Sequence, residues 1–93
     1  MTIEFSHWPQ NYGKSFQVTK ILGLASLGFA DVTEIFEACK RIDPAIDETW
    51  VREWRATAEA VERHGWEAEA AGNWLSARDA YARACNYIRT AEF

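Results

Sequence analysis

Apolar residues recur along this chain at spacings of three and four, the period of a helix that buries one side. From Lys14, the positions Phe16, Ile21, Leu22, Ala25 and Leu27 mark the apolar side of a first helix over 14–27, which Gly28 ends. Asp31-Val32-Thr33-Glu34 forms a capping-box pattern, with Asp31 at the N-cap and Glu34 reaching back to its amide. Val32, Ile35, Phe36, Cys39 and Ile42 then predict a second helix over 32–42. Asp43-Pro44 stops it, because the residue before proline is disfavoured in the helical region.

Asp47 caps a third helix over 48–71, whose apolar stripe is Trp50, Trp54, Ala58, Val61, Gly65 and Ala68. On its other side, Glu48 with Arg52 and Glu59 with Arg63 stand one turn apart in the favourable order for ion pairing. Gly65 weakens the helix by about 1 kcal/mol relative to alanine and leaves room for a kink near His64-Gly65. Gly72-Asn73 makes a turn, and a fourth helix over 74–92 shows the cleanest seam: Trp74, Ala77, Tyr81, Ala84, Ile88 and Ala91. Its alanines let two helix axes approach closely. No segment alternates with a strand period, so the chain reads as all-α with four helices. Residues 1–13, with Pro9, Gly13 and aromatics without period, read as an extended N-terminal arm.

Composition narrows the function classes. The 93 residues are 48% hydrophobic, which suits one small domain with a real core and excludes a disordered chain. Ten Lys and Arg against fourteen Asp and Glu leave a net charge of −4, with no basic run, which argues against nucleic acid as a partner. The longest apolar stretch, Ile21 to Ala30, is far short of the roughly twenty residues a bilayer demands. With no secretory-leader pattern at Met1-Thr2-Ile3-Glu4, a cytoplasmic protein is expected, without contact to a membrane. Five tryptophans are more than so small a domain readily buries, which places some of them at a docking surface.

Catalytic chemistry is missing. Ser26, in Leu24-Ala25-Ser26-Leu27-Gly28, lacks the leading glycine of a G-x-S-x-G elbow and sits in a helical run rather than after a strand. Glu59, Glu62, Glu67 and Glu69 read as a solvated face, and His64 as a surface residue. His7, flanked by Phe5 and Trp8, is a candidate to enter a pocket of another domain. Cys39 and Cys85 fit no metal-ligand spacing and read as reduced thiols on apolar helix faces, although spacing alone leaves a bridge between them open. No cofactor or metal is called for.

Two resemblances follow from the aromatic helices. Gly72-Asn73-Trp74 with Ala77, Tyr81 and Ala84 resembles the second half of a tetratricopeptide repeat, and Gly65 falls where that motif takes a small residue. No second copy appears at the repeat's period, whereas such solenoids need about three repeats, and Arg89 stands where the motif often has proline. A longer resemblance covers nearly the whole chain. It includes Leu22-Gly23, Gly28-Phe29-Ala30-Asp31-Val32, Glu34-Ile35, the Trp50-Val51-Arg52-Glu53-Trp54 element and the run from Ser76-Ala77-Arg78 through Asn86-Tyr87-Ile88 to Glu92-Phe93. Together these resemble the N-terminal helical region of the FrsA-like and 2,6-dihydropseudooxynicotine-hydrolase-like branch of α/β-hydrolases.

That resemblance implies a helical cap, or lid, over 14–93, covering a catalytic α/β-hydrolase domain that these residues do not contain. The nucleophile, acid and histidine for ester or carbon–carbon bond hydrolysis would lie there. The cap would enclose a small-molecule substrate, exclude water and make domain or subunit contacts, homo-oligomeric ones included. Trp50, Trp54, Trp66, Trp74, Tyr81 and Ile88 are the candidate docking surface, and His7, Trp8, Leu22 and Phe29 the candidate pocket lining. The competing expectation is a free-standing tetratricopeptide-like interaction module.

Overall fold

A computed structural model describes residues 6–93 and confirms the all-α reading. Its helices are α1 (Tyr12–Ala25), α2 (Val32–Lys40), α3 (Asp47–Ala70) and α4 (Trp74–Ala91), with no strand among the described residues. α3 and α4 pair along their length. α2 packs on α3 and α1 on α4, so both cover the side of the α3–α4 hairpin that carries Trp50, Trp54 and Tyr87.

Two glycines end helices by the same device. Gly28 and Gly72 have φ of 81° and 79°, the left-handed region that a side chain disfavours. After α1, the Phe29 N–H reaches the Leu24 carbonyl and the Gly28 N–H reaches that of Ala25, each at 3.1 Å. After α3, Asn73 bonds Ala68 at 2.8 Å and Gly72 bonds Glu69 at 3.0 Å. This is the Schellman pattern, which satisfies carbonyls a helix end would otherwise leave bare.

The helix starts depart from expectation. α1 begins at Tyr12, because Asn11 Oδ1 accepts the Lys14 amide at 3.1 Å and acts as the cap. The residues before it do not extend away. Trp8 is buried, its N–H donates to Ser15 Oγ at 2.9 Å, and the Ser15 hydroxyl donates back to the Trp8 carbonyl at 2.6 Å. A turn anchored by one ring has no period, so the pattern of the sequence misses it. Residues 1–5 of the expected arm lie outside the described residues.

At α3, Ile46 occupies the N-cap position and makes no capping bond through its side chain. Asp47 is already helical and pairs with Lys14 Nζ at 2.5 Å, tying α3 to α1 instead of capping its own helix. The lysine also donates to the Pro44 carbonyl at 2.6 Å. Arg52 pairs with the adjacent Glu53 rather than with Glu48 one turn back, and Arg41 reaches the same carboxylate from α2's end. α3 continues through Gly65 as one helix.

The centre is aromatic. Trp54, Tyr87, Ile35 and Val18 are fully sealed. Trp8 meets Trp50 edge-on at 6.1 Å, Trp50 meets Trp54 at 5.7 Å, and Trp54 stacks on Tyr87 at 5.8 Å. Trp50 also donates its indole N–H to the Thr90 carbonyl at 2.9 Å, fixing α3 against α4. The apolar side of α1 is Val18 and Ile21, with Ser15, while Phe16 and Leu27 face solvent. Val32 is likewise exposed, and α2 buries Ile35, Ala38 and Cys39. Both cysteines are free, and only Cys39 belongs to the core; Cys85 is exposed on α4. Burial pushes the Cys39 thiol up to about 12, so it stays protonated.

Candidate docking face

The seam expected on α4 divides in two. Ala77, Ala84 and Ala91 are buried, but Trp74 is 66% exposed and Tyr81 and Ile88 are only half-buried. The helical period explains this: residues 74, 81, 85, 88 and 92 share a strip rotated away from the core. The true inward strip is Ala77, Ala80, Ala84, Tyr87 and Ala91, whose spacings are also alternately three and four. That second seam was present in the sequence, one register over.

The outward strip of α4 faces its counterpart on α3 across a groove of about 400 Å³. Ala58, Ala84 and Ile88 line its apolar part, while Glu59, Glu62 and Glu92 supply acidic edges. Tyr81 crosses between the helices and donates to Glu69 Oε1 at 2.7 Å. That hydrogen bond holds its phenol up to about 12, so the ring stays neutral. Gly65 makes the crossing feasible. A Cβ there would stand 2.5 Å from Tyr81 Cε1 and 2.8 Å from Cδ1, inside van der Waals contact. Trp66, at 58% exposure, follows Glu62 on the same strip of α3. Leu75 is exposed beside Trp74 at the start of α4.

The expected docking residues therefore fall into two groups. Trp50 and Trp54 lie in the interior and make their ring contacts within the chain. Trp66, Trp74, Tyr81 and Ile88 are available at the surface. The expected pocket lining is not gathered in one place. His7 is half-buried, edge-on to Trp8 at 4.7 Å and 5.7 Å from Phe36, and burial lowers its pKa. Trp8 is core, Leu22 packs against the core from α1, and Phe29 stands exposed in the α1–α2 connection beside Leu27, Arg78 and Asp79.

The polar centre of the fold leaves no mark in the periodic pattern of the sequence. Asp31 accepts the Glu34 amide at 3.0 Å as expected, but Glu34 does not close the box. Instead the Asp31 N–H donates to the Tyr87 hydroxyl at 2.9 Å, which donates to Glu34 Oε1 at 2.7 Å. Arg83 clamps both oxygens of that carboxylate at 2.9 and 3.3 Å. A tyrosine of α4 thus completes the cap of α2. Burial, and then the bond to Glu34, push the Tyr87 phenol far above its ordinary value, so it remains a donor. These groups hold α2 and α4 together, with Glu34 and Arg83 only partly accessible. Among the described residues there is no cluster of His, Cys, Asp or Glu fit to hold a metal, and no helix is long and apolar enough to cross a membrane.

Known proteins similar to this chain are named as hydrolases. The alpha/beta hydrolase pydG of Acremonium sp is 41% identical over 78 residues, covering 84% of this chain and 18% of that protein. The alpha/beta hydrolase xenA of Xenoacremonium sinensis is 40% identical over the same shares. The 20-hydroxy-prefusarin hydrolase FUS2 of Gibberella moniliformis is 37% identical over 79 residues, 85% of this chain and 19% of its own length. The chain thus spans less than a fifth of the length of each of these curated relatives. No family model matches it, and no solved structure does.

Proposed function

We propose that these residues form the helical cap segment of an α/β-hydrolase, seated on a catalytic domain through the outer face of α3 and α4. The observation that carries the reading is the similarity of 84% of the chain to proteins named alpha/beta hydrolases, of which it represents a small part. The outer face supplies the physical reason. It offers two indoles, an apolar groove and an acidic rim, and anchors of this kind account for much of the contact energy of interfaces. The catalytic domain would meet it with an apolar ridge flanked by basic side chains. Ester or carbon–carbon bond hydrolysis would proceed on that domain, with the cap enclosing the substrate and excluding water.

The test is made on the full-length polypeptide with p-nitrophenyl butyrate as probe ester. Trp66→Ala with Trp74→Ala should retain the helical circular-dichroism signal and lower kcat/KM by at least about tenfold, as expected when interface anchors are lost. Unchanged kcat/KM would overturn the docking face. The tetratricopeptide-like reading draws on the same Gly65–Tyr81 contact. It predicts that the paired variant leaves hydrolysis untouched.

A further inference from the structure

A second groove, of about 360 Å³, lies between α1 and α4. The α1 side is a strip of Gln17, Lys20, Ile21 and Leu24, and the α4 side includes Asn86 and Arg89. Ile21 and Leu24 give it an apolar wall continuous with the core. Asn86 is fixed in place by donating to the Phe29 carbonyl at 2.9 Å. Among the described residues, Lys20 and Arg89 engage no carboxylate and no acidic side chain lines the groove. In a chain of net charge −4, none of the described acidic residues lines this cleft, while two cations stand in it.

We propose that this groove binds a small organic carboxylate with an apolar body. Lys20 and Arg89 would take the carboxylate, where charge-assisted bonds are strongest and the planar guanidinium fork matches two oxygens. Ile21 and Leu24 would cover the hydrocarbon, and the Gln17 amide supplies a further donor. The cavity volume falls in the range of about 300–1,000 Å³ typical of small-ligand sites. An inorganic phosphate would leave the apolar wall unused, and a nucleic acid would require a wider basic surface than two side chains. The groove is distinct from the docking face, with Arg89 on the ridge between them. The proposal does not rest on the cap reading, because its readout is binding rather than hydrolysis.

The test is calorimetric titration of the full-length polypeptide with 4-phenylbutyrate and with its neutral amide. Saturable binding of the acid is expected, with the amide weaker by at least about tenfold. Lys20→Gln with Arg89→Gln should weaken the acid by about tenfold while leaving binding of the amide unchanged. Both side chains are exposed, so the fold should survive; should helix content fall, each single variant carries the same comparison. Arg55→Gln, an exposed cation elsewhere on α3, should change nothing. Equal binding of acid and amide, an unaffected double variant, an equal loss at Arg55 or absence of saturation would each overturn the proposal.

Discussion

Trp54 and Trp74 stand on opposite sides of one helical hairpin. Trp54 is 0% exposed and stacked on Tyr87, whereas Trp74 is 66% exposed at the start of α4. Both belong to strips with helical spacing. What separates them is the presence of a cover. α1 and α2 place Val18, Ile21 and Ile35 over the inner strip, and nothing among the described residues does the same for the outer one. A strip's period therefore tells which residues share a side, and only the tertiary arrangement tells which side is closed.

The contrast is broken or upheld most directly by removing each ring. Trp54→Ala should cost about 3–5 kcal/mol in urea unfolding, the usual loss for a large core aromatic. That is a large share of the 5–15 kcal/mol typical of a whole domain. In residues 1–93 on their own, away from the proposed catalytic domain, Trp74→Ala should shift stability by no more than about 0.5 kcal/mol, as for most surface changes. Comparable losses at the two sites would mean the outer strip is already covered within the chain. Trp54 also keeps a buried indole N–H without a hydrogen-bond partner, so its ring contacts outweigh a penalty of about 1–3 kcal/mol.

The four helices were legible because each carries a long periodic strip and a marked stop. Gly28, Pro44 and Gly72 placed the breaks within a few residues of where they fall. The contents of the strips were less legible. On α4, two seams with the same alternation lie one register apart, and the bulkier one, with Trp74, Tyr81 and Ile88, draws the eye. The inward seam is mostly alanine, because α3 and α4 approach too closely for large side chains along most of their contact. Residues 6–11 were illegible for another reason. Their placement depends on Trp8 finding Trp50 and on the reciprocal bonds with Ser15, which are tertiary facts without a local signature.

Polar joints sharpen the comparison at a smaller scale. Tyr87 joins the inner strip to the start of α2, and Tyr81 joins the outer strip to Glu69. Tyr87→Phe preserves the stacking on Trp54 but takes the acceptor from the Asp31 N–H and the donor from Glu34. A loss of about 1–2 kcal/mol is expected, toward the lower end of the range for hydrogen bonds that involve a charged group. Tyr81→Phe, whose hydroxyl bond is exposed, should cost less than about 0.5 kcal/mol. Equal costs would show that the Tyr87 hydroxyl adds nothing beyond its ring, with Glu34 moving onto the Asp31 amide to complete the box.

A small effect whose sign depends on its background tests how tightly the outer strip is built. Alanine at position 65 should gain about 1 kcal/mol of helix propensity. Against that gain stands the Tyr81 ring, 2.5 Å from where the new methyl would sit. Tyr81 is anchored at its far end by Glu69, so the ring must swing off and lose that bond, and Gly65→Ala should come out destabilising by a few tenths of a kcal/mol to about 1 kcal/mol. In a Tyr81→Ala background the obstacle is gone, and the same substitution should stabilise by up to about 1 kcal/mol. A double-mutant cycle isolates the difference as the coupling between the two positions. A coupling near zero would mean that the ring moves aside freely, leaving glycine at 65 without a packing reason and the outer strip looser than the inner one by more than its exposure alone conveys.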